Sequence, residues 1–381
     1  MQSSYSNNSP EGQIASLIND KGMIPFDVFM DMALYGDSGY YRNSLNPFGV
    51  NGDYFTSPRV HPVFAFCLAK QLFNMWKILD SPVPFLIYED GAGDDLLATD
   101  ILRSFQIIDS KMFDATNYYI HDMNLINSIN PKIQNATNDL NIFHVVISNE
   151  LFDAMPVKLF EVHNNTVQEV FLSLRNSREL QETLNFPSPE LADFLRPLNV
   201  TSLEGYRGPV NLHVEDWVSK ISEKMNSGFM ITIDYGYLED IYFSMEKSHK
   251  LIQTYYQHSD GGNLLQRIGR QDITAHVNFS HLMSVGEQNQ FKTVFFDTQK
   301  NWLELLGFDQ IKNIDMFNNN RRIQNLLFSL VDQTGLGNFK VLIQAKNLDE
   351  SELQIFNNEI HTFDYSENIE ITKRHISYKL M

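Results

Sequence analysis

The chain has 381 residues, enough to bury a large core as one elaborated domain or two unequal ones. Its 43% hydrophobic and 20% charged content describes a soluble globular protein, and no apolar run approaches membrane-spanning length. With 47 acids against 29 bases the net charge is −18, which argues against nucleic acid as a partner. That charge is compatible with a cationic ligand or a basic protein segment, while a plain acidic surface is the main reason expected for it.

Residues Met1 to Pro10 are rich in Ser and Asn and lack an apolar core, and the first arginine is Arg42. They resemble neither a secretory signal nor a transit peptide, so a cytoplasmic location is expected. Pro25 to Tyr35 predicts an amphipathic helix with Phe26, Phe29, Met30, Ala33 and Leu34 on one face. Glycine turns follow at 36–39 and at Asn51-Gly52-Asp53. A long apolar helix is expected from Val63 to Leu79, carrying the single cysteine, Cys67, as a small buried hydrophobe.

Pro84 to Ile87 predicts a buried strand that breaks into Tyr88-Glu89-Asp90-Gly91-Ala92-Gly93-Asp94-Asp95, ahead of a helix near 97–105. Strand, glycine turn and helix form the nucleotide-binding opening of a doubly wound sheet. Four carboxylates between Glu89 and Asp95 would repel a pyrophosphate, which seeks bare backbone N–H groups. A cofactor with sulfonium and ammonium groups tolerates them, so S-adenosylmethionine fits and NAD and ATP do not. The alternative is a plain tight turn with Asp94 capping the helix.

Further strands are expected at Tyr118–Asp122, Ile142–Ile147, Phe229–Gly236 and Phe339–Ala345, alternating with helices as in a largely parallel α/β sheet covered on both faces. Between His163 and Ser227 the pattern suggests a hairpin and helices with no sheet element, and no core role is expected from about Asp349 onward.

Glu89, Asp122, Glu150 and Asp234 all fall at strand ends, where open parallel sheets bind ligands. Asp122 is placed to accept adenosine ribose hydroxyls, or to cap a helix. The pair Asn149-Glu150 and Asp234 meet the cofactor amine or the acceptor, or cap helices. His276 is a structural histidine or a base. His258, His276 and His281 lack metal-ligand spacing, so no metal is expected.

Six segments, in order, resemble the MidA-like methyltransferases: Ala33-Leu34-Tyr35 with Gly39-Tyr40-Tyr41, Gly52 to Pro58, Glu89 to Gly93, Asn149 to Pro156, Asp234-Tyr235-Gly236, and Gln271 to Val277. The resemblance spans about Gly22 to Lys346. It implies a seven-stranded, mostly parallel Rossmann-like methyltransferase sheet binding S-adenosylmethionine. Helical N-terminal elements (1–80) would precede a core at 81–346. That core would carry an insertion at about 163–227 and a substrate side at 250–285, before an extension at 347–381. Carried over by position, the glycine turn with Gly91 and Gly93 and the Thr56-Ser57-Pro58 loop would line the cofactor and Asp122 would hold the ribose, with Glu89 and Asn149 expected beside them. Glu150 and Asp234, with His276 next, are the candidates for an acid that orients or deprotonates the acceptor. That acceptor would be a protein arginine or a small-molecule nitrogen or oxygen; a homodimer is compatible. Asp95 stands where the family usually has a third glycine, and Pro209 where a glutamate is expected. Both motivate a second expectation, a non-catalytic assembly protein with weakened or lost cofactor binding.

Overall fold

The β-branched runs Val145-Val146-Ile147 and Ile231-Thr232-Ile233 are buried along their whole length, which selects the interior of a sheet packed on both faces. A computed structural model describes residues 9–43, 55–137, 142–176, 179–256, 259–260, 262–311, 320–349, 353 and 369–377. The turn expected at Asn51-Gly52-Asp53 lies outside them. The chain divides into two compact units.

One unit comprises Phe55–Leu151, Trp217–Tyr235 and Leu282–Met381. Its sheet has seven strands: Phe85–Asp90 (β1), Thr116–His121 (β2), Ile133–Asn135 (β3), Val145–Asn149 (β4), Gly228–Asp234 (β5), Phe291–Thr298 (β6) and Lys340–Lys346 (β7). The order is β6-β7-β5-β4-β1-β2-β3. Strands β1 to β5 pair in parallel, while β7 runs antiparallel to both β5 and β6. This is the expected α/β class and strand count. The helix Val63–Ile78 is buried almost all round, and Leu96–Ile108 turns Leu97, Ile101, Leu102 and Phe105 into the same core. Ile369 and Ile376 join that core too, so the chain beyond Asp349, expected to stay outside it, contributes to it.

The other unit comprises Met1–Tyr54, Phe152–Asp216 and Gly236–His281. Its helix Phe26–Tyr35 buries the five predicted residues against Leu159, Val170 and Leu172. The stretch after His163 corrects the expectation of no sheet element. Thr166–Arg175, Glu179–Asn185 and Arg207–Val210 join Ile24–Pro25 and Lys158–His163 in a five-stranded antiparallel sheet. Asn164 and Asn165, at φ +52° and +56°, make the two-residue hairpin turn that starts it.

Candidate functional site

The site in the sheet unit begins where β1 runs out. Gly91 and Gly93 adopt φ +71° and +63°, a region that L side chains rarely enter. A Cβ on Gly91 would also come within 2.7 Å of Leu151 Cδ1, so a side chain there would push the Leu151 terminus aside. The N–H groups of Gly91 and Ala92 both donate to the His121 carbonyl at the end of β2, at 2.9 and 3.1 Å. The Gly93 N–H donates to Asp122 Oδ2 at 3.0 Å, and Asp122 Oδ1 accepts from Asn124 N–H at 3.0 Å. Asp122 therefore fixes the turn while its half-exposed carboxylate keeps further accepting capacity. Asp94 Oδ1 accepts from Leu96 N–H at 2.8 Å and caps the following helix.

Register carries the other acids to the same edge of the sheet. Asp90 pairs with His121 on one side and Ser148 on the other, and Asn149 lies opposite Ile233. The structure thus brings Glu89, the glycine turn, Asp122, Asn149, Glu150 and Asp234 to the carboxyl ends of adjacent parallel strands. Asn149 Nδ2 donates to Glu150 Oε1 at 3.1 Å, leaving the buried Asn149 Oδ1 without a partner. Glu150 holds φ +53°, unusual for a residue with a side chain, and it remains partly exposed. Asp234 is fully buried, with Oδ1 accepting from Tyr235 N–H at 2.8 Å. Thr56 is buried at the start of the short helix Ser57–Val60, and the Ser57 hydroxyl is taken up by Gln299 Oε1 at 3.0 Å.

The acids are less negative together than in the sequence. Burial pushes the Glu89 carboxyl up to about 8; the Tyr118 hydroxyl, donating at 2.9 Å, works against this, and Asp94, Asp95 and Asp122 add to it. Asp90 accepts from Trp217 Nε1 at 2.6 Å and bonds His121 at 2.7 Å, and its hydrogen bond to His121 raises that imidazole's pKa. Asp94 pairs with Arg59 and, at 3.0 Å, with Arg374; Asp95 pairs with Arg374 at 2.7 Å. No spacing rule could have matched Arg374 to a carboxylate 279 positions away, so the sequence reading missed it.

The raised Glu89 pKa makes stability depend on pH. Folding favours the protonated acid, so its stabilisation is complete below the unfolded value of 4.5 and is lost as pH rises through about 8. Glu89→Gln removes that titration. Its thermal stability relative to the parent chain is expected to rise between pH 5 and pH 9, by a few kcal/mol at the ~1.4 kcal/mol that each pKa unit represents. Melting curves at the two pH values check this; an unchanged gap would contradict the buried acid.

His276 lies in the other unit, between the strands Asp272–Ala275 and Val277–Asn278. It lines a small cavity of about 20 Å³ with His281, Phe194, Pro209, Asn211 and Tyr242, room for about one water molecule. Burial, with Lys247 adding to it, pushes His276 down to about 4, and burial alone takes His281 to about 4. Both imidazoles are neutral near pH 7 and are weak bases there. Pro209 sits in Arg207–Val210, an edge strand, where a residue without an N–H is tolerated.

Residues 67–296 match the family model described as "Putative S-adenosyl-L-methionine-dependent methyltransferase". A Drosophila melanogaster relative, the mitochondrial protein arginine methyltransferase NDUFAF7 homolog, is 25% identical over 72% of this chain and 69% of its own. The Danio rerio protein arginine methyltransferase NDUFAF7, also mitochondrial, is 24% identical over 87% and 84%. Those names overturn the expected cytoplasmic location, which rested on the composition of the first ten residues and the late first arginine. Among solved structures, a Burkholderia thailandensis protein crystallised with S-adenosyl-homocysteine superposes with a TM-score of 0.78 over 89% of this chain and 93% of that one. At 23% identity that likeness is one of fold. The family match covers more than half the chain and takes in four of the six segments read from the sequence, and the chain belongs to the MidA-like family of S-adenosyl-L-methionine-dependent methyltransferases.

Proposed function

We propose that this methyltransferase places the methyl group on an arginine side chain of a protein. The observation that carries the reading is the strand-end edge itself, where a half-exposed Glu150 in a strained conformation adjoins the unpartnered Asn149 oxygen. Backbone strain of this kind concentrates at binding sites. The curated relatives, named as protein arginine methyltransferases, supply the acceptor class.

The residues present suit the cofactor. Two positive-φ glycines, a carboxylate at Asp122 and an orphaned amide oxygen at Asn149 match the backbone approach, ribose hydroxyls and ammonium of S-adenosylmethionine. Gly91, Gly93, Asp122 and Asn149 would hold it. When bound, it supplies an electrophilic methyl on a sulfonium. The protein's part is positioning, with Glu150 receiving the acceptor guanidinium through a carboxylate fork and accepting the proton that the methylated nitrogen gives up. His276, pushed down to about 4, is a weaker candidate for this work. Asp234, fully buried against Tyr235 N–H, serves best as a support for the edge.

Neither departure from the family pattern requires a dead enzyme. The Asp95 carboxylate is satisfied by Arg374 and by Ser128 Oγ at 2.5 Å, and Pro209 occupies a strand edge that accepts it. The deciding experiment incubates the purified chain with methyl-labelled S-adenosylmethionine and arginine- or lysine-bearing peptides and protein fractions, then identifies the labelled residue by mass spectrometry. Label on methylarginine is the expected result. Label on lysine or on small molecules alone would overturn the arginine assignment.

A further inference from the structure

The segment 369–377 touches the cofactor turn through Arg374 and the elements beside it through its neighbours. Arg374 reaches Asp95 Oδ1 with one guanidinium nitrogen at 2.7 Å and Asp94 Oδ1 with the other at 3.0 Å. Ile376 N–H donates to the Arg59 carbonyl at 2.8 Å, and Arg59 itself pairs with Asp94. His375 is fully buried, with Nε2 2.8 Å from Asp100 Oδ2. Its Nδ1 accepts from Thr372 N–H at 3.0 Å, so the ring proton sits on Nε2 and is donated to the carboxylate. Ile369, Ile376 and Ser377 are buried as well.

Asp95 behaves unlike an ordinary helix cap. It occupies the position before Leu96–Ile108, yet its side chain makes no capping bond to that helix. Asp94 does the capping, and the Asp95 carboxylate is given over to Arg374 and Ser128. An aspartate at that position, half-exposed beside two positive-φ glycines, would by itself add negative charge where a zwitterionic ligand must bring its own carboxylate. Two arginines balance the two aspartates, Arg59 on Asp94 and Arg374 on both.

We propose that residues 369–377 are a clamp on the cofactor turn, and that Arg374 is a positioning residue for S-adenosylmethionine through its ion pairs with Asp94 and Asp95. This rests on the family's cofactor and adds a dependence on the tail. With the segment docked, the turn is held in place and Asp94 and Asp95 are matched by two cations; with it released, they are left without one of them and cofactor affinity falls.

The test titrates S-adenosylhomocysteine calorimetrically into the full chain, Arg374→Gln, Arg374→Lys and the pair Asp95→Asn/Arg374→Gln, with hydrogen exchange of 369–377 followed without ligand. Arg374→Gln is expected to weaken binding about tenfold, within the range of coupling energies between contacting residues. It is also expected to speed exchange in the tail, while Arg374→Lys stays near the parent. The double variant should regain most of the loss, a recovery that a merely structural role would not produce. Unchanged binding in Arg374→Gln, or a double variant no better than the single one, would overturn the clamp. Tighter binding would overturn it in favour of a cover that competes with the ligand. No binding by the unaltered chain would overturn the cofactor reading itself; tail exchange would still report whether the ion pairs hold the segment.

Discussion

Replacing Glu150 with glutamine is expected to lower turnover about a hundredfold or more, the scale of a lost acid–base or orienting group, with S-adenosylhomocysteine affinity nearly unchanged. The substitution keeps the side-chain volume and an oxygen to accept from Asn149 Nδ2, now 3.1 Å from Glu150 Oε1. The backbone at φ +53° is held by Glu150 N–H donating to the Ile233 carbonyl at 2.8 Å, which no side-chain change disturbs. What disappears is the negative fork that an arginine acceptor would meet. Steady-state kinetics should therefore show the loss in kcat, accompanied by a rise in KM for the acceptor and none for the cofactor. Asp234→Asn is the instructive contrast. Its carboxylate is buried, so the expected effect is on folding, read as a lower melting temperature. If Glu150→Gln keeps full turnover, the acceptor carboxylate lies elsewhere on the edge.

The parts of the site that were legible in the sequence are those encoded within one short segment. Gly91 and Gly93 announce a turn because only glycine takes those φ values readily, and Glu89, Asp122, Asn149 and Glu150 stand at the ends of apolar runs long enough to be recognised. Parallel register then delivers them to one edge without further information. Short or half-buried elements were harder. β3 has three residues, and β6 carries a bulge between Thr293 and Phe295 with side chains mostly half-exposed, so neither shows clean alternation. The antiparallel sheet of the other unit was obscured by polar alternation in Glu179–Asn185, although Asn164-Asn165 was a usable hairpin signal.

Charge was the least legible property, because it depends on partners distant in sequence. Four acids between Glu89 and Asp95 read as a strongly negative turn. In the fold, burial raises the Glu89 pKa, His121 and Trp217 engage Asp90, and Arg59 and Arg374 engage Asp94 and Asp95. The exclusion of a pyrophosphate cofactor consequently rests less on net charge than on occupied donors. The Gly91, Ala92 and Gly93 N–H groups, which a diphosphate would need, are already given to His121 and Asp122.

Asp122→Ala follows from that same occupancy and is expected to weaken S-adenosylhomocysteine binding by about 30-fold or more, as two charge-assisted hydrogen bonds to the ribose are lost. The aspartate also accepts the Gly93 N–H at 3.0 Å and so ties the turn to the end of β2. Alanine removes both functions, whereas Asp122→Asn keeps an oxygen for Gly93 and loses the charge, so it should fall between the two. The glycine turn itself remains anchored through Gly91 and Ala92 to the His121 carbonyl, and the half-exposed position limits the cost to folding. A melting temperature close to the parent's, together with the graded affinities, would separate ligand contact from collapse of the turn. Equal affinity in all three proteins would remove Asp122 from the cofactor site and leave it as a turn support alone. In that outcome, the orphaned Asn149 oxygen and the Gly91 turn would have to carry recognition on the inner strands β1 and β4.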